Sequence, residues 1–382
     1  MLPEHQLCSG CGACAVSCPQ NCIKMVCDRE GFRYPVVDYA ACLSCGVCEQ
    51  RCPVLTPVST REGTIAVAAQ NRDADIRRRS SSGGVFSALG QYVLDQGGIV
   101  CAAIYDGCKV RHTMIDRPED LASMRGAKYA QSETEHCFPR IRRELRAGRT
   151  VLFVGTPCQT AGLRRYVEQD DASLILVDMI CHGVPSPRVW EEYLRERQQA
   201  DAPESNIQSI DLRSKETGWS RYAYCVKIRY QDGTEYQCPQ GQDWFMRGFV
   251  QNLYLRPSCA QCAFKGMERC SDLTLGDCWG IWDIAPDYDD DLGTSLLLVH
   301  GEKGRAIWNA VSPQFDVRTL SLEQAVAQNP SAVASAIPHS ERERFFREEN
   351  GGTQVIERIR KCLEPERASV WKNIKKKFGF PL

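Results

Sequence analysis

The sequence predicts an α/β protein (α+β overall) in three parts: a small cysteine-rich module, a larger mixed α/β domain and a mainly helical C-terminal tail. Three observations predict it. A cysteine phrase occurs twice before residue 54 and then stops. From residue 64 onward short apolar runs alternate with amphipathic stretches, as strands alternate with helices in α/β layers. Helical spacing then dominates the last seventy residues. The boundaries fall at 1–60, 61–310 and 311–382, the first drawn where Pro53, Pro57, Ser59, Thr60 and Gly63 make a linker. A chain of 382 residues has room for a second, larger core after the module.

The repeated phrase is Cys8-x2-Cys11-x2-Cys14-x3-Cys18-Pro19, followed by Cys42-x2-Cys45-x2-Cys48-x3-Cys52-Pro53, each cysteine recurring 34 residues later. This is the ligand spacing of cubane 4Fe-4S clusters. Two-residue gaps let three successive thiolates reach three corners of one cube, and Gly10, Gly12 and Gly46 leave room for backbone amides near the sulfurs. The fourth ligand comes from elsewhere: in two-cluster ferredoxins the cysteine before proline serves the other cube. That rule assigns Cys8, Cys11, Cys14 and Cys52 to one cluster and Cys42, Cys45, Cys48 and Cys18 to its partner. Zinc also accepts paired Cys-x2-Cys, but its sites do not use eight thiolates as triplets plus one. Cys22 and Cys27 lie outside the phrase and read as small buried thiols.

Twenty-two cysteines in so long a chain, more than half at metal-type spacing, point to a reducing compartment, and a cytoplasmic protein is expected. Met1 to Leu7 contains no apolar signal core, and no apolar run is long enough to span a bilayer. With 47 basic and 48 acidic residues the balance gives no reason to expect nucleic acid.

Within the second part, Thr64 to Gln70 reads as a strand, Gly84 to Gln96 as a helix begun by Ser80-Ser81-Ser82, and Gly98 to Tyr105 as a strand. A helix from Phe138 to Ala147 leads to the strand Val151 to Val154; a helix from Ala161 to Val167 leads to the strand Leu174 to Ile180 and the helix Pro187 to Gln199. A hairpin from Tyr222 to Gln237 turns at Asp232-Gly233. The closing run Lys372-x2-Lys375-Lys376-Lys377, flanked by Trp371 and Phe378, reads as a solvated basic tail.

Four features carry chemistry in this part. Cys158, in Gly155-Thr156-Pro157-Cys158-Gln159, and Cys181, in Cys181-His182-Gly183, stand at the carboxyl ends of two strands, the edge where α/β sheets bind ligands. With Cys259 and Cys262 they make four thiolates, enough for a third cubane, although Cys270 and Cys278 compete and scattered cysteines are commonly plain buried residues. The turn Ser80 to Phe86 opens a helix, whose exposed amides suit a phosphate or a flavin's polar edge; Ser and Gly also simply cap helices. Arg125-Gly126-Ala127-Lys128-Tyr129 puts two cations and an aromatic in one loop, and Gly276-Asp277-Cys278-Trp279-Gly280 ends a strand in a tight aromatic turn. His182 fits a flavin contact or a structural strand-end histidine equally well.

Taken in order, Ser-Gly-Gly-Val-Phe, Arg-Gly-x-Lys-Tyr, Gly-Thr-Pro-Cys-Gln, Cys-His-Gly-Val-Pro-Ser, Arg-Pro-Ser-Cys-x2-Cys and Gly-Asp-x-Trp-Gly resemble the beta subunits of coenzyme F420-reducing hydrogenases and F420-linked dehydrogenases. The likeness runs from the cysteine repeat to about residue 310. It implies a ferredoxin-type module and an FAD-binding α/β domain. It also implies a third 4Fe-4S cluster on Cys158, Cys181, Cys259 and Cys262, and flavin neighbours among Ser82, Gly83, Gly84, Lys128 and Asp277. Lys128 is the expected charge beside the flavin ring.

The function expected on both lines is an iron-sulfur flavoprotein oxidoreductase passing electrons between 4Fe-4S clusters and a two-electron carrier, coenzyme F420 or another small-molecule acceptor, with a ferredoxin or a catalytic subunit as redox partner. The alternatives are a ferredoxin-like carrier with a flavin-free docking domain and a regulatory protein with a redox-sensing cluster. No catalytic residue emerges from the sequence.

Overall fold

A computed structural model describes residues 2–168, 171–220, 223–347 and 353–364. The basic run around Lys375 lies outside them, as does Tyr222 at the start of the expected hairpin.

The N-terminal module consists of two half-units, each with a short helix after its second cysteine, Ala13–Ser17 and Val47–Gln50. One antiparallel strand pair, Ile23–Cys27 with Arg33–Val37, joins them. The helices begin at Gly12 and Gly46, whose φ values of 78° and 72° are left-handed and therefore suit glycine. Cys22 is buried as expected, but Cys27 is exposed, because it ends an edge strand where the next turn faces solvent.

The large domain is built on eight strands in the spatial order Phe315–Leu320, Ile65–Asn71, Ser295–Val299, Leu273–Asp277, Leu174–Met179, Val151–Gly155, Ile99–Asp106 and Lys109–Ile115. Leu273–Asp277, Leu174–Met179, Val151–Gly155 and Ile99–Asp106 are mutually parallel, and antiparallel strands flank them on both sides. Val151–Gly155 shows why such strands are apolar throughout. Leu152 and Val154 pack into a core with the helix Val85–Asp95, while Val151 and Phe153 pack on the other face with the helices Phe138–Arg146 and Pro157–Val167.

A smaller antiparallel sheet, Ile207–Ser214, Cys225–Tyr230 and Glu235–Pro239, packs with the helices Pro187–Asp201, Trp244–Val250, Arg342–Arg347 and Val355–Leu363 around a core of Trp190, Tyr193, Phe245 and Tyr254. The hairpin turns at Gly233, as its Asp-Gly pair predicts.

Two local expectations change. The helix expected from Ala161 begins at Pro157, because Thr156 and Gln159 form a reciprocal capping box and Pro157 occupies the first turn. The segment after 310 contributes a strand, Phe315–Leu320, to the large sheet before its helices begin. Its partner Ile65–Asn71 would otherwise be an edge with open hydrogen-bonding groups.

Candidate metal centres and cofactor cleft

The four parallel strands end on one side of the sheet, and the motifs meet there. A cleft of about 600 Å³ runs between this edge and the smaller sheet. Its walls include Ser80 to Ser82, Gly84, Arg125 to Tyr129, Gly276, Asp277 and Trp279 from the large domain, and Arg213, Tyr224 and Phe249 from the smaller unit. The volume lies within the usual range of ligand pockets, roughly 300–1,000 Å³.

Each expected flavin neighbour has a definite local role. Gly84 starts the helix Val85–Asp95 with φ of 93°. Gly83 stands behind the cleft wall: its amide donates to Ser295 Oγ at 2.9 Å, and a Cβ there would lie 2.1 Å from the Ala69 carbonyl oxygen. Ser82 lines the cleft while its hydroxyl donates to the Thr294 carbonyl at 2.8 Å. Lys128 donates to the carbonyls of Met124, Arg125 and Gly126, at 3.0, 2.6 and 3.2 Å, and burial pushes its ammonium down to about 7. Asp277 lines the cleft and accepts from Arg213 Nη1 at 2.6 Å.

Arg213 is the residue that sequence reasoning missed. It sits in a register break between Asp211 and Ser214, where a bulge re-aims a side chain that alternation alone does not place. It is 4 % exposed and stacks on Tyr224 and Trp279, with centroid distances of 4.2 and 4.9 Å. Its Nε and Nη2 have no hydrogen-bond partner, and neither has Nδ1 of the buried cleft residue His112. Orphaned donors beside aromatic rings and a helix N-terminus are a donor set that fits the anionic and planar parts of FAD.

Thiols surround two further cavities. Cys8, Cys11, Cys14 and Cys52 line one, together with Ser9, Gly10 and Gly12. Cys158, Cys181, Cys259 and Cys262 line the other, with His182, Arg256, Lys265 and Arg269. Cys270 and Cys278 are not on its wall; Cys278 is buried in an apolar cluster beside Trp219 instead. The remaining N-terminal ligand candidates, Cys18, Cys42 and Cys48, pack beside Cys14 and Cys22, whereas Cys45 is exposed. Among the described residues no three Cys, His, Asp or Glu side chains crowd close enough to share one metal ion; the thiols stand around cavities instead of converging on a point.

Burial raises the Cys11 thiol, pushes Cys14 and Cys158 up to about 12, and raises Cys181 further, so metal binding there must release protons. The Val184 amide already donates to Cys259 Sγ at 3.4 Å, and the Ser44 amide to Cys42 Sγ at 3.4 Å.

The cavities adjoin one another. Ser9 lies on the walls of both thiol cavities, and Cys158, Cys181, His182, Gly183 and Val184 are shared between the second thiol cavity and the cleft. The helix Pro157–Val167 fixes this spacing: it carries Cys158 in its first turn, and a Cβ at Gly162 would lie 2.8 Å from Cys11 Cβ. His182 Nε2 donates to Asn252 Oδ1 at 2.6 Å and its Nδ1 pairs with Ser331 Oγ at 3.4 Å, which holds its ring between the two cavities.

Comparison with known proteins follows the same division. Residues 7–55 match the 4Fe-4S dicluster domain, residues 66–137 the N-terminal part of the coenzyme F420 hydrogenase/dehydrogenase beta subunit, and residues 148–324 its C-terminal part. An F(420)H(2) dehydrogenase component of Methanosarcina mazei is 23 % identical over 209 residues, which are 50 % of this chain and 59 % of that protein. The coenzyme F420-dependent sulfite reductase of Methanocaldococcus jannaschii is 28 % identical over 171 residues, 43 % of this chain and 26 % of that protein. The chain therefore spans less than two thirds of either relative. A chain of the F420-reducing [NiFe] hydrogenase complex from Methanosarcina barkeri superposes with a TM-score of 0.46 at 16 % identity, covering 77 % of this chain and 94 % of that one. No helix among the described residues is long and apolar enough to cross a membrane. With both parts of one family matched over well over half its length, and an iron-sulfur domain ahead of them, this chain belongs to the family of coenzyme F420 hydrogenase/dehydrogenase beta subunits.

Proposed function

We propose that this chain is an iron-sulfur flavoprotein oxidoreductase that passes electrons between three 4Fe-4S clusters and a two-electron carrier through FAD. The observation that carries the reading is the shared wall of Cys158, Cys181 and His182, which sets a four-thiol cavity directly against a cleft of ligand size.

Cys8, Cys11, Cys14 and Cys52 would hold one cubane, Cys18, Cys42, Cys45 and Cys48 the second, and Cys158, Cys181, Cys259 and Cys262 the third. FAD, when bound, exchanges a pair of electrons with a hydride donor or acceptor and single electrons with a cubane. The protein's part is to position and to insulate. The aromatic faces of Trp279 and Tyr224 and the orphaned donors of Arg213 receive a planar, electron-rich ring, with Asp277 fixing the guanidinium. The first turn after Gly84, with Arg125 nearby, receives a diphosphate. Coenzyme F420 is the two-electron carrier that the relatives' names favour. The partner is a single-electron carrier or a catalytic subunit in the cytoplasm.

Anaerobically reconstituted protein tests this directly. Three cubanes give about twelve irons per chain against about eight for two, and a flavoprotein releases FAD on denaturation. Clusters without flavin, and no uptake of added FAD, would leave the ferredoxin-like carrier as the function. Arg213→Met should lower FAD retention at least tenfold, about 1.4 kcal/mol, while iron content stays unchanged.

A further inference from the structure

The cavity of Cys158, Cys181, Cys259 and Cys262 has three cations on its wall, Arg256, Lys265 and Arg269. Arg256 is 1 % exposed and Arg269 4 %. Among the described residues none of the three hydrogen-bonds to a carboxylate. Arg256 donates to the carbonyls of Cys8 and Arg33, at 2.8 and 3.0 Å, and to Gln131 Oε1 at 2.8 Å. Lys265 donates to the carbonyls of Cys181 and Ser331, and Arg269 to those of Phe264 and Ala332. Among the described residues every acceptor of these hydrogen bonds is neutral. Asp178, whose carboxyl burial pushes up to about 6, interacts with Arg269 through space, but its hydrogen bond is to Thr274 and it bonds to none of the three cations.

Burying cations without counter-anions is costly, and two buried guanidiniums with a half-buried ammonium around one cavity call for an anionic occupant. A cubane on four thiolates carries two negative charges when oxidised and three when reduced. The same cations therefore stabilise its reduced form more than its oxidised form. The cavity of Cys8, Cys11, Cys14 and Cys52 is lined by no charged side chain; Pro3, Met25, Pro35 and Val54 complete its wall.

We propose that Arg256, Lys265 and Arg269 are positioning residues that hold the cubane of the second cavity at a higher midpoint potential than the inner N-terminal cubane, so that electrons entering through the ferredoxin-type module settle beside the cleft. This rests on the three-cluster reading. The step is one electron: the N-terminal cubane is oxidised by one, its neighbour is reduced by one, and no bond or proton moves. The electron originates in a one-electron donor protein, for which dithionite substitutes in vitro. Arg256 also ties the two cavities mechanically, since it bonds to the Cys8 carbonyl in one loop and precedes Cys259 by three residues in the other.

The test is an anaerobic redox titration of the full reconstituted chain followed by EPR. The third cubane's signal is identified as the one lost in Cys259→Ser. In the unaltered protein it should appear at a higher potential than the N-terminal signals. In Lys265→Met and Arg269→Gln its midpoint should fall by a tenfold or larger change in the reduction equilibrium, about 59 mV for one electron, while the N-terminal signals stay in place as internal controls. Arg256→Gln, which removes a cation shared with the Cys8 loop, should lower the midpoints of the cubanes in both cavities and loosen the module, so the contrast is read from Lys265→Met and Arg269→Gln. A third signal at or below the N-terminal ones, or midpoints unmoved in both Lys265→Met and Arg269→Gln, overturns the proposal alone. An iron content near eight that Cys259→Ser does not change overturns the three-cluster reading and the proposal with it.

Discussion

In the first cysteine repeat Cys8, Cys11 and Cys14 are 8 %, 8 % and 9 % exposed; in the second, Cys42 and Cys48 are half-buried and Cys45 is open to solvent. The two phrases have identical spacing, and the difference comes from what lies against them. The first repeat abuts the helix Pro157–Val167 and the Arg256 guanidinium, which stacks on Tyr34 at 4.2 Å. The second faces outward beside the exposed side chains of Tyr39 and Leu43 and is tied to the large domain by the pair Arg51–Glu168, 2.5 Å apart. One repeat is thus packed against the large domain and the other lies at the surface, although nothing in their spacing separates them. Burial also protects a cluster and shifts its potential, so the duplication yields two chemically unlike sites from one phrase.

The contrast is broken most directly by removing iron. A chelator added to anaerobically loaded protein should strip about four irons in a fast phase and the rest slowly. The fast phase should vanish in Cys48→Ser and persist in Cys14→Ser; equal rates for the two N-terminal clusters would end the comparison.

Gly12 and Gly46 sharpen it next. Both are left-handed, so alanine costs about 1–2 kcal/mol at either. At Gly12 a Cβ would also lie 2.5 Å from Glu135 Cβ, whereas at Gly46 nothing lies within 4 Å. Denaturant titration of the loaded proteins should show Gly12→Ala losing roughly 3 kcal/mol or more, and Gly46→Ala only the smaller amount.

The tie at the accessible end is weaker. Arg51 and Glu168 are 22 % and 49 % exposed, so Arg51→Ala should cost under about 1 kcal/mol and lose even that at high salt. A cost well above this would mean that the second repeat is anchored as firmly as the first.

The smallest effect is expected at Ser44. It holds φ of 50° at the place where the first repeat has Gly10 with φ of 71°. Ser44→Gly should stabilise the protein by up to about 0.5 kcal/mol, the strain relieved being partly offset by glycine's greater freedom when unfolded. Thermal melts of the loaded protein suffice to read the sign.

The site was legible in the sequence to different depths. Cys158 and Cys181 follow strands whose apolar runs are plain, and the structure makes those strands adjacent and parallel, which brings the thiols to one edge. Gly83 and Ser82 were legible as a turn but not as to which atoms face the cleft; Gly83 packs against the Ala69 carbonyl instead. Arg213 left no signal, since a bulge decides its direction and the bulge depends on a neighbouring strand. Strand Phe315–Leu320 was hidden because only the unpaired edge of Ile65–Asn71 calls for it.

By itself the sequence determined the ligand chemistry: thiolate spacing is a local property, fixed by how far a few residues of backbone reach. It also determined the alternation of strand and helix, which follows from the period of apolar residues. Only the tertiary structure decided which repeat is buried, that three cations face one set of thiols, and that this set shares a wall with the cleft. Arg256, for one, meets Cys8 and Arg33 more than two hundred residues away, and no local pattern encodes such relations, because burial and charge compensation exist only once the segments are packed.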